Sequence, residues 1–509
     1  MFLPVLKGYW LADDFTWVGQ FSRYPWSDAW RLFIGDWSRA ISQEYRPLWA
    51  ISFMVDLGIS GLRPVALHTT NLGLHLVACW LVWRLAEESP GAPRLTAPLA
   101  LAFFALAPLH AEPVAWISAR GHVLASIFVL GALTWIRLFE KSGNRLHYFG
   151  AIACALAGFA TQEIAVVLPP LLALRDVFET PRRDRQWLRR GAALHAPFWA
   201  ILAAYLLFRF LRFGMLARPG AFASVPWLLS EPLKRLASLW LSPITAVGLP
   251  GGESGRLLQF GLGLLVAFLM ITSVAAAPAS RRRQLVRALV FFGVIWPLVC
   301  VAVLFGANSS RHFYIATVGM AIALGLAGAR VVSNSSAIMS VGSLAMGLLL
   351  GISAVGLTSN VALYARSGRL SRALVREVDR ALEVARRDPD AVTVIVADYP
   401  GRRVVFWDYF FTEALEPPFR KTRPTGWILP SFAPCHCTPE EWKAKHAATL
   451  AHLRVGGVSA VYVVIWDAWQ SAFVTRKLTR EAFWQEGYTA TGGPLLRPLW
   501  PGSPAPSLP

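Results

Sequence analysis

Residues 95–145 read LTAPLALAFFALAPLHAEPVAWISARGHVLASIFVLGALTWIRLFEKSGNR: an apolar run, a connection carrying His110, Glu112, Trp116 and Arg120, a second apolar run, and a basic end. Neither run alternates as a half-buried strand would, and both approach the roughly 20 residues that cross a bilayer core as a helix. The pattern recurs along the chain. Of 509 residues, 55% are hydrophobic and 16% charged, with a mean hydropathy of +0.46. Such a composition excludes a soluble enzyme, a disordered protein and a small secreted scaffold. Apolar windows near 65–85, 95–110, 121–138, 147–161, 163–178, 192–213, 256–277, 285–305, 313–331 and 336–357 predict about ten spans. The window at 163 carries Pro169 and Pro170, tolerated in membrane helices where neighbours satisfy the freed carbonyls.

Forty-nine basic against 30 acidic residues leave a net charge of +19. The charge sits in short loops, which points to lipid headgroups and not to nucleic acid. One alternating set of connections holds 16 basic residues, among them Arg84, Arg137, Lys141, Arg175, Arg281, Arg287 and Arg330. The other holds five: Arg120, Arg218, Lys234, Arg235 and Arg311. The positive-inside rule makes the first set cytoplasmic, so residues 1–64 and everything beyond 358 are expected outside. The stretch before Asp13 is too short to span and lacks a cleavage site, so a preceding helix, missing here, is expected to carry the first loop across.

Past Leu357 the composition changes. Residues 369–387 space Leu370, Leu374, Val378 and Leu382 four apart, which predicts an amphipathic helix. Val392–Ala397 and Val458–Trp466 read as strands, and Thr438-Pro439-Glu440-Glu441 as a helix start. The expected organisation is an all-α polytopic membrane domain over 1–358, a connecting helix over 359–389, and a small α/β extracytoplasmic domain over 390–509 with a disordered proline-rich end. Cys79, Cys154 and Cys300 fall in apolar windows and read as small core residues. Cys435, His436, Cys437, His446 and His452 match no standard zinc spacing.

Polar groups at membrane level are costly and mark function. Asp13 and Asp14 in the first external loop suit a general base or a metal ligand, or a solvated acidic pair. His68, Asn71 and His75 share a helix face, which must turn inward to make interhelical hydrogen bonds or meet a ligand. The connection with His110, Glu112, Trp116 and Arg120 suits a sugar phosphate: arginine for phosphate, indole for a pyranose face, and glutamate for hydroxyls or a metal. Arg46, Glu163, Arg311 and Tyr314 fall on the same side as all of these. A divalent metal held by Asp14 and Glu112 is the one cofactor these residues admit.

In these strings the chain resembles the GT-C superfamily of polytopic membrane glycosyltransferases, particularly bacterial relatives of the tetratricopeptide-containing O-mannosyltransferases. The carrying stretches are Asp13-Asp14-Phe15, Arg46-Pro47-Leu48, the His68, Asn71 and His75 stripe, Pro108 to Arg120, Glu163 to Pro169, and Arg311-His312-Phe313-Tyr314-Ile315. The resemblance implies inverting transfer of a sugar from a polyprenyl-phosphate donor to a protein, glycan or lipid acceptor on the extracytoplasmic face of a bacterial inner membrane. It implies a base at Asp13 or Asp14, a second-loop acid at Glu112, and phosphate contacts at Arg120 and Arg311. Gln162 stands where relatives often carry lysine, His122 where aspartate usually follows the arginine, and no tetratricopeptide repeats appear. A transporter for a lipid-linked sugar would place polar groups at mid-membrane and show repeat symmetry, neither of which the sequence displays. A non-catalytic scaffold is the remaining alternative.

Overall fold

The computed structural model describes residues 1–34, 44–89, 91–180, 185–214, 225–245, 253–304, 309–333, 337–388, 390–395, 414, 418–420, 428–430, 458–467 and 470–482. The helices in chain order are α1 (Asp14–Phe21), α2 (Pro47–Ser60), α3 (Pro64–Glu87), α4 (Thr96–Ala105), α5 (Ala111–Ala115), α6 (Arg120–Ser142), α7 (Arg145–Phe159) and α8 (Leu168–Glu179). They continue with α9 (Arg185–Phe213), α10 (Val225–Thr245), α11 (Glu253–Ala275), α12 (Ala279–Val290), α13 (Trp296–Ala302), α14 (Ala316–Val332) and α15 (Ala337–Ala385). A π-turn over Phe291–Ile295 joins α12 to α13.

Every apolar window falls on helix. Five helical stretches among the described residues are long and apolar enough to cross a membrane: Pro64–Glu87, Ile117–Ser142, Gly191–Phe213, Ala279–Ala302 and Ser340–Ala385. A sixth span arises if Thr96–Ala105 and Pro108–Ala115, bent by 51°, cross together. The chain is an integral membrane protein. The remaining windows form shorter helices, such as the 15-residue α7, which rises only about 22 Å. Large apolar side chains on outward faces, including Leu76, Trp80, Leu207, Leu211 and Leu344, are more than half exposed. Such faces are stable where lipid replaces water.

The chain divides into two compact units. Unit 1 holds residues 1–3, 25–55 and 67–362. Its centre is α14, buried along nearly its whole length. Small side chains let neighbours approach, as expected where close backbone packing replaces the hydrophobic drive. A Cβ at Gly325 would meet the Thr96 carbonyl oxygen at 2.6 Å, so α4 can lie against α14 only with glycine there. The loops assigned to the basic set meet in one ion-pair cluster. Arg175 pairs with Glu140 and Asp176, Arg137 with Glu179, and Lys141 with Glu88. His195 meets Asp176 at 2.8 Å, and Arg287 donates to the Val177 and Thr180 carbonyls at 2.7 and 2.9 Å.

Unit 2 holds residues 4–24, 56–66 and 363–509. Its described strands are β1 (Ala391–Ile395), β2 (Ile428–Pro430), β3 (Ala460–Asp467) and β4 (Ala472–Thr479), in the order β2-β1-β3-β4. β1 is parallel to β2 and β3, and β4 closes the edge antiparallel to β3. The strands expected at 392 and 458 correspond to β1 and β3. The expected helix start at Thr438, the cysteine–histidine stretch from 435 to 452 and the proline-rich end lie outside the described residues.

Candidate functional site

In unit 1 the first turn of α2 runs beside the connections before α6 and α8. The Leu48 N–H donates to the Ala160 carbonyl at 2.9 Å, and Trp49 Nε1–H to the Ser118 carbonyl at 3.1 Å. This stitching sets Arg46 against Glu163: Nε and Nη2 donate to Glu163 Oε2 at 3.0 and 2.8 Å, and Nη1 meets Glu44 at 2.8 Å. Arg209 of α9 reaches Glu163 Oε1 at 3.4 Å. Burial opposes the charge of Arg46, but Glu163 and Glu44 hold its pKa above the usual arginine value. Glu163 stays 30% exposed at its side chain, so Arg46 and Arg209 orient a carboxylate that a ligand can still meet.

A second charged pair joins segments 199 positions apart. The carboxylate of Glu112 accepts from the Ser309 and Ser310 hydroxyls, from the Arg311 backbone N–H at 3.1 Å and from Arg311 Nη1 at 2.7 Å. Arg311 also lies over the Trp116 ring, 4.8 Å from its centroid. Held on two sides, the guanidinium is 28% exposed at its side chain, and its Nε and Nη2 groups have no protein partner among the described residues. Trp116, expected to stack on a sugar, carries Arg311 over its ring. Four donors around Glu112 also make a poor seat for a divalent cation, which needs the same lone pairs. Among the described residues, no three His, Cys, Asp or Glu side chains are placed to share a metal.

Between these pairs stand two imidazoles. The rings of His122 and His312 meet edge to face with centroids 4.8 Å apart, and the charges of Arg46 and Arg311 bear on both. Burial pushes His312 down to about 4, and Arg311 adds to the effect, so its ring is neutral at pH 7. Gln162 Nε2 lies 3.2 Å from His122 Nε2. A Cβ at Gly121 would come within 2.3 Å of Gln162 Oε1 and 2.8 Å of Trp49 Cδ1. Gly121→Ala should therefore displace Gln162 and cost about 1–3 kcal/mol, read as a lowered thermal midpoint of the purified protein. An unchanged midpoint would show that this wall yields freely.

The other expected residues of unit 1 are enclosed. Arg120 is 0% exposed, stacks over Phe53 at 4.4 Å and donates to the Leu67 carbonyl at 3.3 Å. Asn71 Nδ2 donates to the Val114 and Trp116 carbonyls, both at 3.3 Å, and His68 is buried beside Arg120. His75 Nδ1 and the Tyr314 hydroxyl are 2.7 Å apart, as are His110 Nε2 and the Thr317 hydroxyl. The Tyr314 ring packs on both histidines. The structure encloses all six, five of them as hydrogen-bonded ties, while the His68 ring makes no hydrogen bond among the described residues. Arg209 is a lining residue that only spatial proximity reveals.

Asp13 and Asp14 belong to unit 2. Ala12 has a left-handed backbone, φ +46°, unusual for a residue with a side chain. That turn brings Asp14 Oδ2 back to accept the Leu11 N–H at 2.9 Å, with Asp14 fully buried. Asp13 is half-buried and accepts from Trp17 Nε1–H at 3.1 Å. The turn is anchored by the Ser371 hydroxyl on the Trp10 carbonyl at 2.7 Å, and by Arg372, which donates to Gly8 O at 2.9 Å and lies over Tyr9. Two neighbouring acids that look equivalent in sequence thus differ: one accepts from backbone, the other from an indole.

Known proteins share parts of this chain. Protein O-mannosyl-transferase TMTC2 of Mus musculus is 30% identical over 165 residues, covering 30% of this chain and 19% of the relative. Tmtc1 and Tmtc2 of Drosophila melanogaster are 26% and 29% identical over 232 and 252 residues, covering 42% and 46% of this chain. The chain is similar to the O-mannosyl-transferases. It spans only about a fifth to a quarter of the length of these curated relatives, 19%, 26% and 25% in turn. This agrees with the resemblance to GT-C membrane glycosyltransferases read from the loop strings. Two solved structures are also similar. Arabinofuranosyltransferase AftD from Mycobacteria has a TM-score of 0.43 at 16% identity, over 82% of this chain and 30% of that one. ArnT from Cupriavidus metallidurans, bound to undecaprenyl phosphate, has a TM-score of 0.35 at 14% identity, over 94% of this chain and 95% of that one. No family model matches the chain.

Proposed function

We propose that this protein is a membrane glycosyltransferase that moves a sugar from a polyprenyl-phosphate donor to an acceptor hydroxyl on the extracytoplasmic face. The observation that carries the reading is the Glu112–Arg311–Trp116 arrangement, which fixes a part-exposed guanidinium with N–H groups to spare. A fixed arginine suits a phosphate whose negative charge grows as it leaves. Arg120, expected to share this role, is enclosed, so the phosphate contact falls to Arg311. Glu163, oriented by Arg46 and Arg209, accepts sugar hydroxyls.

Asp13 takes the proton of the acceptor hydroxyl as its oxygen bonds to the anomeric carbon. The bond from that carbon to the phosphate oxygen breaks, and its electron pair leaves on the phosphate. Attack opposite the leaving group inverts the anomeric centre. Sugar nucleotides remain in the cytoplasm, so a donor whose lipid tail carries it through the bilayer supplies sugar to the far face.

The test is mass spectrometry of glycolipids and glycoproteins from cells with and without the gene, joined to donor turnover by the full chain in liposomes. Loss of one glycan on deletion, and consumption of a polyprenyl-phosphate sugar in vitro, are expected. Unchanged glycans together with an intact donor would sink the reading.

A further inference from the structure

The charges lining the unit 1 cluster cancel: Arg46, Arg209 and Arg311 face Glu44, Glu163 and Glu112 through the contacts above. An anion entering such a cluster gains little from net charge and depends on hydrogen-bond donors aimed at it. His122 is 6% exposed, and its Nδ1 has no partner among the described residues. Its other nitrogen faces the Gln162 amide nitrogen at 3.2 Å. A nitrogen-to-nitrogen hydrogen bond from an amide requires that ring nitrogen to be the acceptor, which places the ring proton on Nδ1. A buried N–H without a partner is costly, unless a ligand completes it. The His312 ring packs edge to face on the His122 ring, and the charges of Arg311 and Arg46 act on it.

We propose that His122 is a phosphate-binding residue: its Nδ1–H donates to an oxygen of the lipid-linked phosphate beside Arg311, and Gln162 fixes the tautomer that makes this possible. The proposal rests on the donor reading above and deepens it. A neutral donor stabilises the phosphate without adding a charge that must itself be desolvated when the site is empty.

The two amide replacements of histidine separate the ring nitrogens. In His122→Asn the amide nitrogen can occupy the place of Nδ1, whereas in His122→Gln the amide oxygen can reach the place of Nε2 and accept from Gln162 while the inner donor is removed. Binding of a short-chain polyprenyl monophosphate, and of the same alcohol without phosphate, is measured on the full chain in nanodiscs by tryptophan fluorescence. Thermal midpoints are recorded for each variant.

His122→Gln should weaken binding of the monophosphate about tenfold or more, the range for a hydrogen bond to a charged group, and leave the alcohol unaffected. His122→Asn should stay within about threefold of wild type, a difference near 0.6 kcal/mol. Equal binding by wild type and His122→Gln, or an Asn variant as weak as the Gln variant, overturns the role of His122 and leaves the donor reading standing. A wild-type protein with no preference for the monophosphate over the alcohol overturns both.

Discussion

Asp13→Asn is expected to lower glycosyl transfer by about a thousandfold while the thermal midpoint stays within a degree or two, because general-base catalysis contributes roughly 10²–10⁴ in rate. The amide keeps the size of the carboxylate and its oxygen can still accept from Trp17 Nε1–H, so packing is preserved while basicity is lost. Asp14→Ala should behave differently. It removes the acceptor of a buried backbone N–H at Leu11, which costs about 1–3 kcal/mol, and it does so where Ala12 is already held left-handed. The expected phenotype is a less stable protein whose folded fraction loses activity through displacement of Asp13. Transfer rates and thermal midpoints of the two variants, measured in the same preparation, separate these outcomes. Near-normal turnover by Asp13→Asn would remove the base from the mechanism.

The second large effect concerns Glu112 and Arg311. Removing one partner of a buried, hydrogen-bonded ion pair costs about 3–5 kcal/mol. Because the Arg311 side chain is 28% exposed, the lower end of that range is expected, about 3 kcal/mol, for Glu112→Gln. The amide keeps one acceptor oxygen, so two of the four donors on Glu112 also lose their acceptor. Arg311→Met leaves the Glu112 charge enclosed and should cost a similar amount, with loss of donor binding in addition. The double variant should recover part of the sum, since neither unpaired charge remains, giving a coupling of about 1–3 kcal/mol. Denaturation of the singles and the double provides the cycle, and donor affinity provides the second reading. Strict additivity, with donor affinity intact in Arg311→Met, would leave the pair as a surface contact of no consequence to phosphate.

Much of the helical plan is visible locally, because a bilayer demands continuous apolar runs whose backbone groups are satisfied within the segment. That is why windows such as 65–85 and 121–138 correspond closely to α3 and α6. Span number is less legible. Whether α4 and the Pro108–Ala115 stretch make one bent crossing depends on a 51° angle, set by packing and not by hydropathy. The site was half legible. Glu112, Glu163, Arg46 and Arg311 are expected from the charge pattern on one side of the membrane, but their pairing across 117 and 199 positions has no local signature. Arg120 looked equivalent to Arg311, and only its enclosure by Phe53 and two carbonyl oxygens distinguishes them.

What the amino-acid order alone decided is the solvent: its long apolar runs are stable as lipid-facing helices, and the placement of lysine and arginine predicts which loops share an aqueous side. What only the folded chain decided is which charges are partnered. The left-handed turn at Ala12 separates Asp13 from Asp14, and the approach of distant loops turns Glu112 into the anchor of Arg311. The physical reason is range. Hydropathy acts residue by residue along the chain, whereas an ion pair or a hydrogen bond depends on a few ångströms of separation that chain folding alone creates.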